Sequence, residues 1–189
     1  MLVVRILNKL DRIIDRIYTF LIRKSFKSFG KNSVISYKCR IDYPSNISVG
    51  SNVIICKNVW LNGGDRSLPN NTPTLTISDG CHISSYCHIN AFHNVVIEND
   101  VLLAENVYLG DTNHQNSLKE MPIIKQGNIT KGPVKIKKGS FICKNAVISN
   151  PIEIGEYSIV GPNAFVTKSV PNKKIALGNP ARIYNKFEK

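Results

Sequence analysis

The chain has 189 residues and an ordinary share of apolar ones, which is enough for one domain with a buried core. Its 25 Lys and Arg against 13 Asp and Glu give a formal net charge of +12, which favours anionic partners. The sequence has neither an arginine-rich tract nor a basic strand with interleaved aromatics, so we expect no nucleic-acid partner. The five cysteines contain no CxxC pair, and their odd number suits free thiols in a reducing cytoplasm.

The first 30 residues predict an amphipathic helix. Charged residues recur throughout this stretch, which excludes a membrane-spanning helix, since such a helix needs roughly 20 apolar residues in a row. They also interrupt any signal-peptide core, so we expect no leader peptide. Two interpretations of the apolar face are open: it packs on the domain or on a sister subunit, or residues 1–24 lie on an anionic membrane surface. The residues with helical spacing are Val3, Ile6, Leu7, Leu10, Ile13, Ile14, Ile17 and Leu21.

A six-residue repeat dominates the chain beyond residue 46. Aliphatic residues recur at steps of six, and a second small or apolar residue stands two positions before each of them. This period fits a short strand and a tight turn, with both residues of each unit pointing inward because strand side chains alternate. Asn and Gly residues after the aliphatics, such as Gly50 and Asn52, supply the left-handed or open backbone of the corners. The aliphatic positions are Val49, Ile55, Leu61, Ile77, Ile83, Ile89, Ile97, Leu103, Leu109, Ile136, Ile142, Ile148, Ile154, Val160 and Val166.

Three such units make one triangular coil, so the fifteen units predict an all-β parallel β-helix of about five coils. We expect the domain to span 31–184, after the helical segment 1–30 and before a short tail, 185–189. Cys81 and Cys87 occupy inward positions and are expected to be small core residues. A prism of this kind has no concave pocket, so chemistry is expected where the repeat is interrupted, at 62–73 and in the long loop 111–132.

Three segments carry a family resemblance: "VLLAENVYLGDTNH", "KGPVKI" and "IEIGEYSIVGPNAFVTKSVPNKKIALGNPARIY". They resemble the hexapeptide-repeat acyltransferases, most of all the maltose and galactoside O-acetyltransferases and the O-acetyltransferases of capsule and lipopolysaccharide clusters. The resemblance covers 47–184. It implies a left-handed β-helix, transfer of an acetyl group from acetyl-CoA to a hydroxyl or amine, and a homotrimer with active sites between subunits.

The resemblance implies that His114 is the catalytic residue. A sugar hydroxyl is a poor nucleophile at neutral pH, and a general base that removes its proton contributes roughly 10²–10⁴ in rate. His114 would later return the proton to the departing thiolate, in a direct attack without an acyl-enzyme. From the residues alone, a solvated loop histidine is the alternative. Asp111 could orient the imidazole or be an exposed turn carboxylate.

Coenzyme A is implied to lie along the coils that follow the long loop. The resemblance places Lys144 and Pro162 beside the pantetheine, Thr167 and Lys168 near its outer part, and Arg182 near a phosphate. The chain departs from the family pattern at Pro162, since proline has no backbone N–H to offer the cofactor.

Three residues are candidates for binding the acceptor. Ser84 aligns with an asparagine of the sugar acetyltransferases, which suggests a different sugar. Trp60 could stack on a sugar ring or pack at a subunit contact, and His93 could face the acceptor or the solvent. The order of the histidines along the chain does not fit a zinc site, so we expect no metal.

Together these observations predict an acetyl-CoA-dependent O-acetyltransferase of a cell-surface polysaccharide sugar or its precursor. We expect it in the cytoplasm, free or at the inner face of the membrane. Two alternatives are open: N-acetylation of a nucleotide-linked amino sugar, and a non-catalytic β-helix scaffold.

Overall fold

The computed structural model describes residues 2–64, 74–117, 120–149 and 151–185. Most of the predicted excursion 62–73 and the tail beyond residue 185 therefore lie outside the described residues. The chain begins with helix α1 (Leu2–Ile22) and a 3-10 turn (Arg23–Ser25). Two further 3-10 turns are Pro44–Asn46 and Ile123–Lys125. The strands are β1 (Ser28–Phe29), β2 (Val34–Ile35), β3 (Arg40–Asp42), β4 (Ile47–Val49), β5 (Ile54–Ile55), β6 (Trp60–Asn62), β7 (Leu75–Ile77), β8 (His82–Ile83), β9 (His88–Asn90), β10 (Val95–Ile97), β11 (Leu102–Leu103), β12 (Tyr108–Gly110), β13 (Thr112–His114), β14 (Asn128–Thr130), β15 (Val134–Ile136), β16 (Phe141–Ile142), β17 (Val147–Ser149), β18 (Ile152–Ile154), β19 (Ile159–Val160), β20 (Phe165–Val166), β21 (Lys174–Leu177) and β22 (Arg182–Asn185).

Three parallel sheets form the sides of a prism. Sheet A has the order β1-β4-β7-β10-β15-β18, sheet B β2-β5-β8-β11-β16-β19-β21-β22, and sheet C β20-β17-β12-β9-β6-β3. Strand β22 runs antiparallel to β21 and ends the stack. The predicted left-handed parallel β-helix is confirmed. The described residues make six complete coils.

The first coil, β1 to β3, precedes the part of the chain in which the repeat is evident. Phe29, Ile35 and Ile41 keep the six-residue step, but the position two before Ile35 is Ser33. Its hydroxyl donates to the carbonyl of Gly50 at 2.6 Å, which satisfies a polar side chain inside the prism. Because Ser33 is polar, this unit lacks the two inward apolar residues by which the six-residue repeat is recognised in the sequence.

The core is a narrow column of the predicted inward side chains. All fifteen aliphatic positions of the repeat are at most 2 % exposed. Cys81 and Cys87 lie among them, each 1 % exposed. Burial raises the pKa of both thiols to about 11, so they remain protonated at neutral pH and act as small apolar side chains.

The corners between sheets B and C are stabilised by an asparagine ladder. Asn106, Asn145 and Asn163 have φ angles of 58°, 62° and 57°, which asparagine tolerates better than most residues. The amide of Asn106 donates to Asn145 at 3.0 Å, and that of Asn145 donates to Asn163 at 2.9 Å. Gly50 is needed for a different reason: a Cβ there would lie 2.7 Å from the backbone nitrogen of Asp79 on the next coil.

Helix α1 is held against sheet B by polar contacts. The Thr19 hydroxyl accepts the N–H of Ile35 at 2.9 Å and donates to the carbonyl of Asp15 at 2.7 Å. The Asp15 carboxylate in turn accepts the N–H of Tyr37 at 2.9 Å. The helix ends at Ile22, eight residues before the predicted limit of its segment. Phe26, which follows it, is 7 % exposed and belongs to the core. Within the described residues, no helix is long and apolar enough to cross a membrane.

We expect Thr19→Val to loosen the helix from the coil. The change preserves the shape of the side chain but leaves the buried N–H of Ile35 without an acceptor, which costs about 1–3 kcal/mol. Thr19→Ser keeps the hydroxyl and is the matched control. Urea unfolding of both variants measures the difference, and equal stabilities would show that the Thr19 hydroxyl does not hold the helix.

Candidate active site

Outward side chains of sheet C form an aromatic ladder, which consists of Arg40, Trp60, His88 and Tyr108. The four residues occupy the same register position on successive strands. The rings of Trp60 and His88 are parallel, with centroids 4.1 Å apart, and His88 meets Tyr108 edge to face at 5.4 Å. The Arg40 guanidinium lies 4.1 Å from the centroid of the Trp60 ring.

The aromatic ladder determines which part of the Trp60 ring is accessible to a ligand. Arg40 belongs to the coil below Trp60 and His88 to the coil above, so they cover opposite faces of the indole. Its Nε1–H donates to the Asp42 carboxylate at 2.7 Å. These contacts leave no open ring face for the sugar stacking that the sequence suggested, and Trp60 presents its edge.

The long excursion is a β-hairpin, which we call the hairpin arm (residues 111–132, with 118–119 outside the described residues). After β12 the chain leaves the coil, and β13 pairs antiparallel with β14 so that His114 lies opposite Asn128. The Gln115 N–H donates to the carbonyl of Gly127 at 3.0 Å, which extends the hydrogen-bonded pairing of β13 and β14 toward the tip of the arm. The chain re-enters the coil at Val134, which pairs with Val95. His114 is exposed on this arm.

A cavity of about 360 Å³ lies between the hairpin arm and sheet C. His114 lines it from the arm, and His88 and Tyr108 line it from the ladder. Four asparagines complete most of the wall: Asn62, Asn90, Asn113 and Asn128. The described residues of the lining include no Lys, Arg, Asp or Glu. Amide and ring groups of this kind suit an uncharged ligand that carries several hydroxyls.

A second cavity, of about 530 Å³, adjoins the first toward the base of the prism. The two share Trp60, Asn62 and Phe92 in their linings. Arg40 and Tyr43 line the far part of the second cavity. A groove therefore runs along sheet C from the hairpin arm to the first coil.

Asp111 is buried, which corrects the expectation of an exposed turn carboxylate. Its side chain is 0 % exposed. The carboxylate accepts three consecutive backbone N–H groups, those of Phe92 at 2.8 Å, His93 at 2.7 Å and Asn94 at 2.5 Å. These bonds compensate for the burial of the charge. They fix the segment 91–94, which carries Phe92, against the root of the hairpin arm.

The predicted acceptor residues are dispersed. Trp60 lines both cavities, and His93 is exposed on the segment that Asp111 fixes. Ser84 lies after β8, at the corner between sheets B and C, where its N–H donates to the carbonyl of Leu103 at 2.9 Å. It is not among the residues that line the cavity of His114.

The predicted cofactor residues lie apart from His114 on the same chain. Lys144 and Pro162 are exposed on consecutive coils at the corner between sheets B and C, next to the asparagine ladder. Thr167 and Lys168 are exposed after β20, and Arg182 is exposed on β22. None of the five lines the cavity under the hairpin arm. In the described part of the chain, no group of three His, Cys, Asp or Glu could hold a metal ion.

Sequence reasoning missed the asparagines and Tyr108 as lining residues. Asn62 donates to Asn90 at 2.8 Å, one coil apart, and their strands carry Trp60 and His88 in the same register. These columns are visible in the sequence when the third strands of successive coils are aligned by their inward residue. The inward residues are easier to recognise because they repeat more strictly.

One segment of the repeat matches a known protein family. Residues 133–168 match the family described as "bacterial transferase hexapeptide (six repeats)". Within the chain, this matched segment carries the hexapeptide repeat. The predicted resemblance to the hexapeptide-repeat acyltransferases is thus confirmed.

Two curated relatives and two solved structures show what the chain is similar to. A dTDP-3-amino-3,6-dideoxy-alpha-D-galactopyranose 3-N-acetyltransferase of Aneurinibacillus thermoaerophilus is 46 % identical over 52 residues, 28 % of this chain and 27 % of that protein. The putative acetyltransferase SAR2635 of Staphylococcus aureus (strain MRSA252) is 30 % identical over 57 residues, 30 % of this chain and 29 % of that protein. The chain thus matches less than a third of the length of these relatives.

The structural likenesses cover most of the chain. A mutant of AntD, an N-acyltransferase from Bacillus cereus in complex with dTDP-4-amino-4,6-dideoxyglucose and coenzyme A, has a TM-score of 0.62 and 25 % identity over 90 % of this chain and 88 % of that one. A galactoside acetyltransferase in complex with coenzyme A has a TM-score of 0.60 and 25 % identity over 89 % of this chain and 69 % of that one.

We expect Asp111→Ala to destabilise the site by about 2 kcal/mol or more, because three buried N–H groups lose their acceptor. Asp111→Asn keeps one carbonyl oxygen and should fall between the alanine variant and the unchanged protein. Urea unfolding gives the stabilities, and hydrogen exchange at Phe92, His93 and Asn94 reports the local effect. Unchanged exchange at these amides in the alanine variant would show that the Asp111 carboxylate does not fix the segment 91–94.

The stability of the fold should depend on pH through His88. Burial, and then the charge of Arg40, lower the pKa of His88 below its usual value. His88 therefore binds a proton more readily in the unfolded chain than in the folded chain. The free energy of unfolding should then fall as pH drops below about 6.5. His88→Phe keeps a ring in the ladder and should make that fall shallower. Urea unfolding at several pH values tests this, and parallel pH profiles would refute it.

Proposed function

We propose that the protein transfers an acetyl group from acetyl-CoA to a hydroxyl of a sugar in a cell-surface polysaccharide or its precursor. The observation that carries the proposal is His114 on the hairpin arm, which faces a cavity lined by uncharged amides and aromatic rings. The cavity suits a sugar, and the imidazole suits the proton transfer that a hydroxyl nucleophile needs.

In the proposed reaction, His114 accepts the proton of the sugar hydroxyl as its oxygen attacks the thioester carbonyl. The new C–O bond forms and the C–S bond breaks, and the imidazolium returns the proton to the departing sulfur. Acetyl-CoA supplies the activated acetyl group. The asparagine amides of the cavity can donate to and accept from the other hydroxyls, which orients the ring.

We propose Lys144, Pro162, Thr167, Lys168 and Arg182 as the groups that bind coenzyme A. Their exposure on the last coils leaves them accessible, and the basic side chains of Lys168 and Arg182 suit the phosphates. Pro162 can contribute packing and its carbonyl but no N–H.

The active protein is proposed to be a homotrimer with sites between subunits. The support is geometric: one chain places His114 on the hairpin arm and the proposed cofactor residues on other parts of the surface. A neighbouring chain that presents its last coils to the arm would bring the two sets together. Each site would then combine His114 of one chain with the proposed cofactor residues of its neighbour.

N-acetylation of a nucleotide-linked amino sugar is the second candidate. The names of the Aneurinibacillus relative and of AntD favour it. The uncharged lining of the cavity beside His114 suits a neutral sugar, whereas Arg40 in the adjoining cavity is a cation that a diphosphate could meet. We further propose that the enzyme works in the cytoplasm at the inner face of the membrane, where a lipid-linked precursor would be found.

We expect His114→Gln to lower kcat by roughly 10²–10⁴ while the protein stays folded and keeps its oligomeric state. His82→Gln is the matched control, since His82 lies on sheet B and bonds Cys56 at 3.5 Å rather than lining the cavity. Transfer from acetyl-CoA to a panel of neutral sugars, glycans and amino sugars would be followed by mass spectrometry.

Treatment of the product with hydroxylamine, which cleaves esters and spares amides, separates the two candidates. Activity of His114→Gln within about threefold of the unchanged protein would remove His114 from the mechanism. If acetyl-CoA neither stabilised the protein against heat nor was consumed with any acceptor, the scaffold interpretation would replace the enzyme.

A further inference from the structure

The helix α1 leaves its apolar face uncovered. Its 21 residues give a rod of about 30 Å. The side chains that form this face, which we call the apolar stripe, are 43–70 % exposed. They are Ile6, Leu10, Ile13, Ile14, Ile17 and Leu21. A continuous exposed stripe of this size on a folded domain marks a surface that binds something.

Polar contacts with the coil set the rotation of the helix. Thr19 is 5 % exposed and bonds the backbone of Ile35, and Asp15 bonds the N–H of Tyr37. Both residues lie on the side of α1 that faces sheet B. The stripe is therefore directed away from the prism by specific bonds.

The charged residues of α1 are also separated by sign between two sides of the helix. Arg5, Lys9, Arg12 and Arg16 are exposed, and their spacing places them along one flank of the stripe. Of the two acids, Asp15 bonds the coil, and Asp11 lines the cleft between the helix and sheet B together with Lys38. The flank of the stripe is thus a row of cations without acids among them.

We propose that the apolar stripe binds the surface of an anionic membrane, with α1 lying parallel to the bilayer plane. The stripe enters the acyl boundary, and the cationic flank meets the phosphates of anionic lipids. An antiparallel pair of these helices fits less well, because it would bring together two rows of like charge. The inference rests on the membrane location given in the proposed function and does not depend on acyl transfer.

Such binding leaves the groove accessible. Helix α1 contacts strand β2 of sheet B, whereas the cavity of His114 lies on sheet C. The membrane contact and the candidate active site are on different sides of the prism. The protein can therefore be held at the bilayer while its groove receives an acceptor.

Sedimentation of the full chain with lipid vesicles tests the proposal. Vesicles would contain phosphatidylcholine alone or an equal mixture of phosphatidylcholine and phosphatidylglycerol. We expect strong binding only to the mixture, weakened by added salt. No binding to either vesicle, or equal binding to both, would overturn the proposal.

Two variants identify the surface that binds. Leu10→Gln/Ile17→Gln replaces two exposed side chains and should weaken binding to the mixed vesicles about tenfold or more. Leu102→Gln is the matched control, since Leu102 is 39 % exposed on sheet B and should bind as the unchanged protein does. Arg5→Gln/Arg12→Gln should lose roughly fivefold per cation.

Light scattering distinguishes the membrane from a subunit contact. The Leu10→Gln/Ile17→Gln protein should keep the oligomeric state and the soluble-acceptor activity of the unchanged protein. Dissociation of the oligomer by this variant would show that the stripe is a subunit interface and overturn the proposal. Loss of vesicle binding with retained acyl transfer would separate this inference from the proposed function.

Discussion

The stacking of one inward side chain on its counterpart in the next coil is the constraint on which the rest of the molecule depends. Backbone hydrogen bonds between parallel strands set the coils about 4.8 Å apart. Ile55, Ile83, Leu103, Ile142 and Val160 form one such column, in strict register. Because each coil must add one residue to every column, extra residues have to leave the prism at a corner. The hairpin arm is such an extra segment, and it carries His114.

The same register organises the outside of the prism. Once Leu61 and Ile89 are stacked in the core, their neighbours Trp60 and His88 must be stacked on the surface. The columns of the aromatic ladder and of the asparagines beside it are therefore consequences of the fold, and together they make the floor of the groove. Asp111 joins this floor to the hairpin arm through the segment 91–94. A site can thus form on a prism that has no cleft of its own.

The columns also explain what the sequence could predict. The inward positions follow from the six-residue period, which fits neither an amphipathic helix nor an ordinary strand. Each of these positions is buried, as the sequence predicts. The first coil was hidden because Ser33 replaces an apolar residue and is satisfied by a carbonyl of the next coil. The burial of Asp111 could not be foreseen, because its three N–H partners lie 17 to 19 residues earlier in the chain. The amphipathic helix was evident, but which side faces the coil depends on single bonds from Thr19 and Asp15.

We propose that His114 of one chain acts on a thioester bound by the last coils of another. A crystal structure of the protein with coenzyme A would show whether the two meet. We expect the pantetheine along Lys144 and Pro162 of one chain, with its sulfur within about 4 Å of the imidazole of His114 from a neighbour. A cofactor bound elsewhere, with its sulfur remote from every copy of His114, would show that His114 does not act on the thioester.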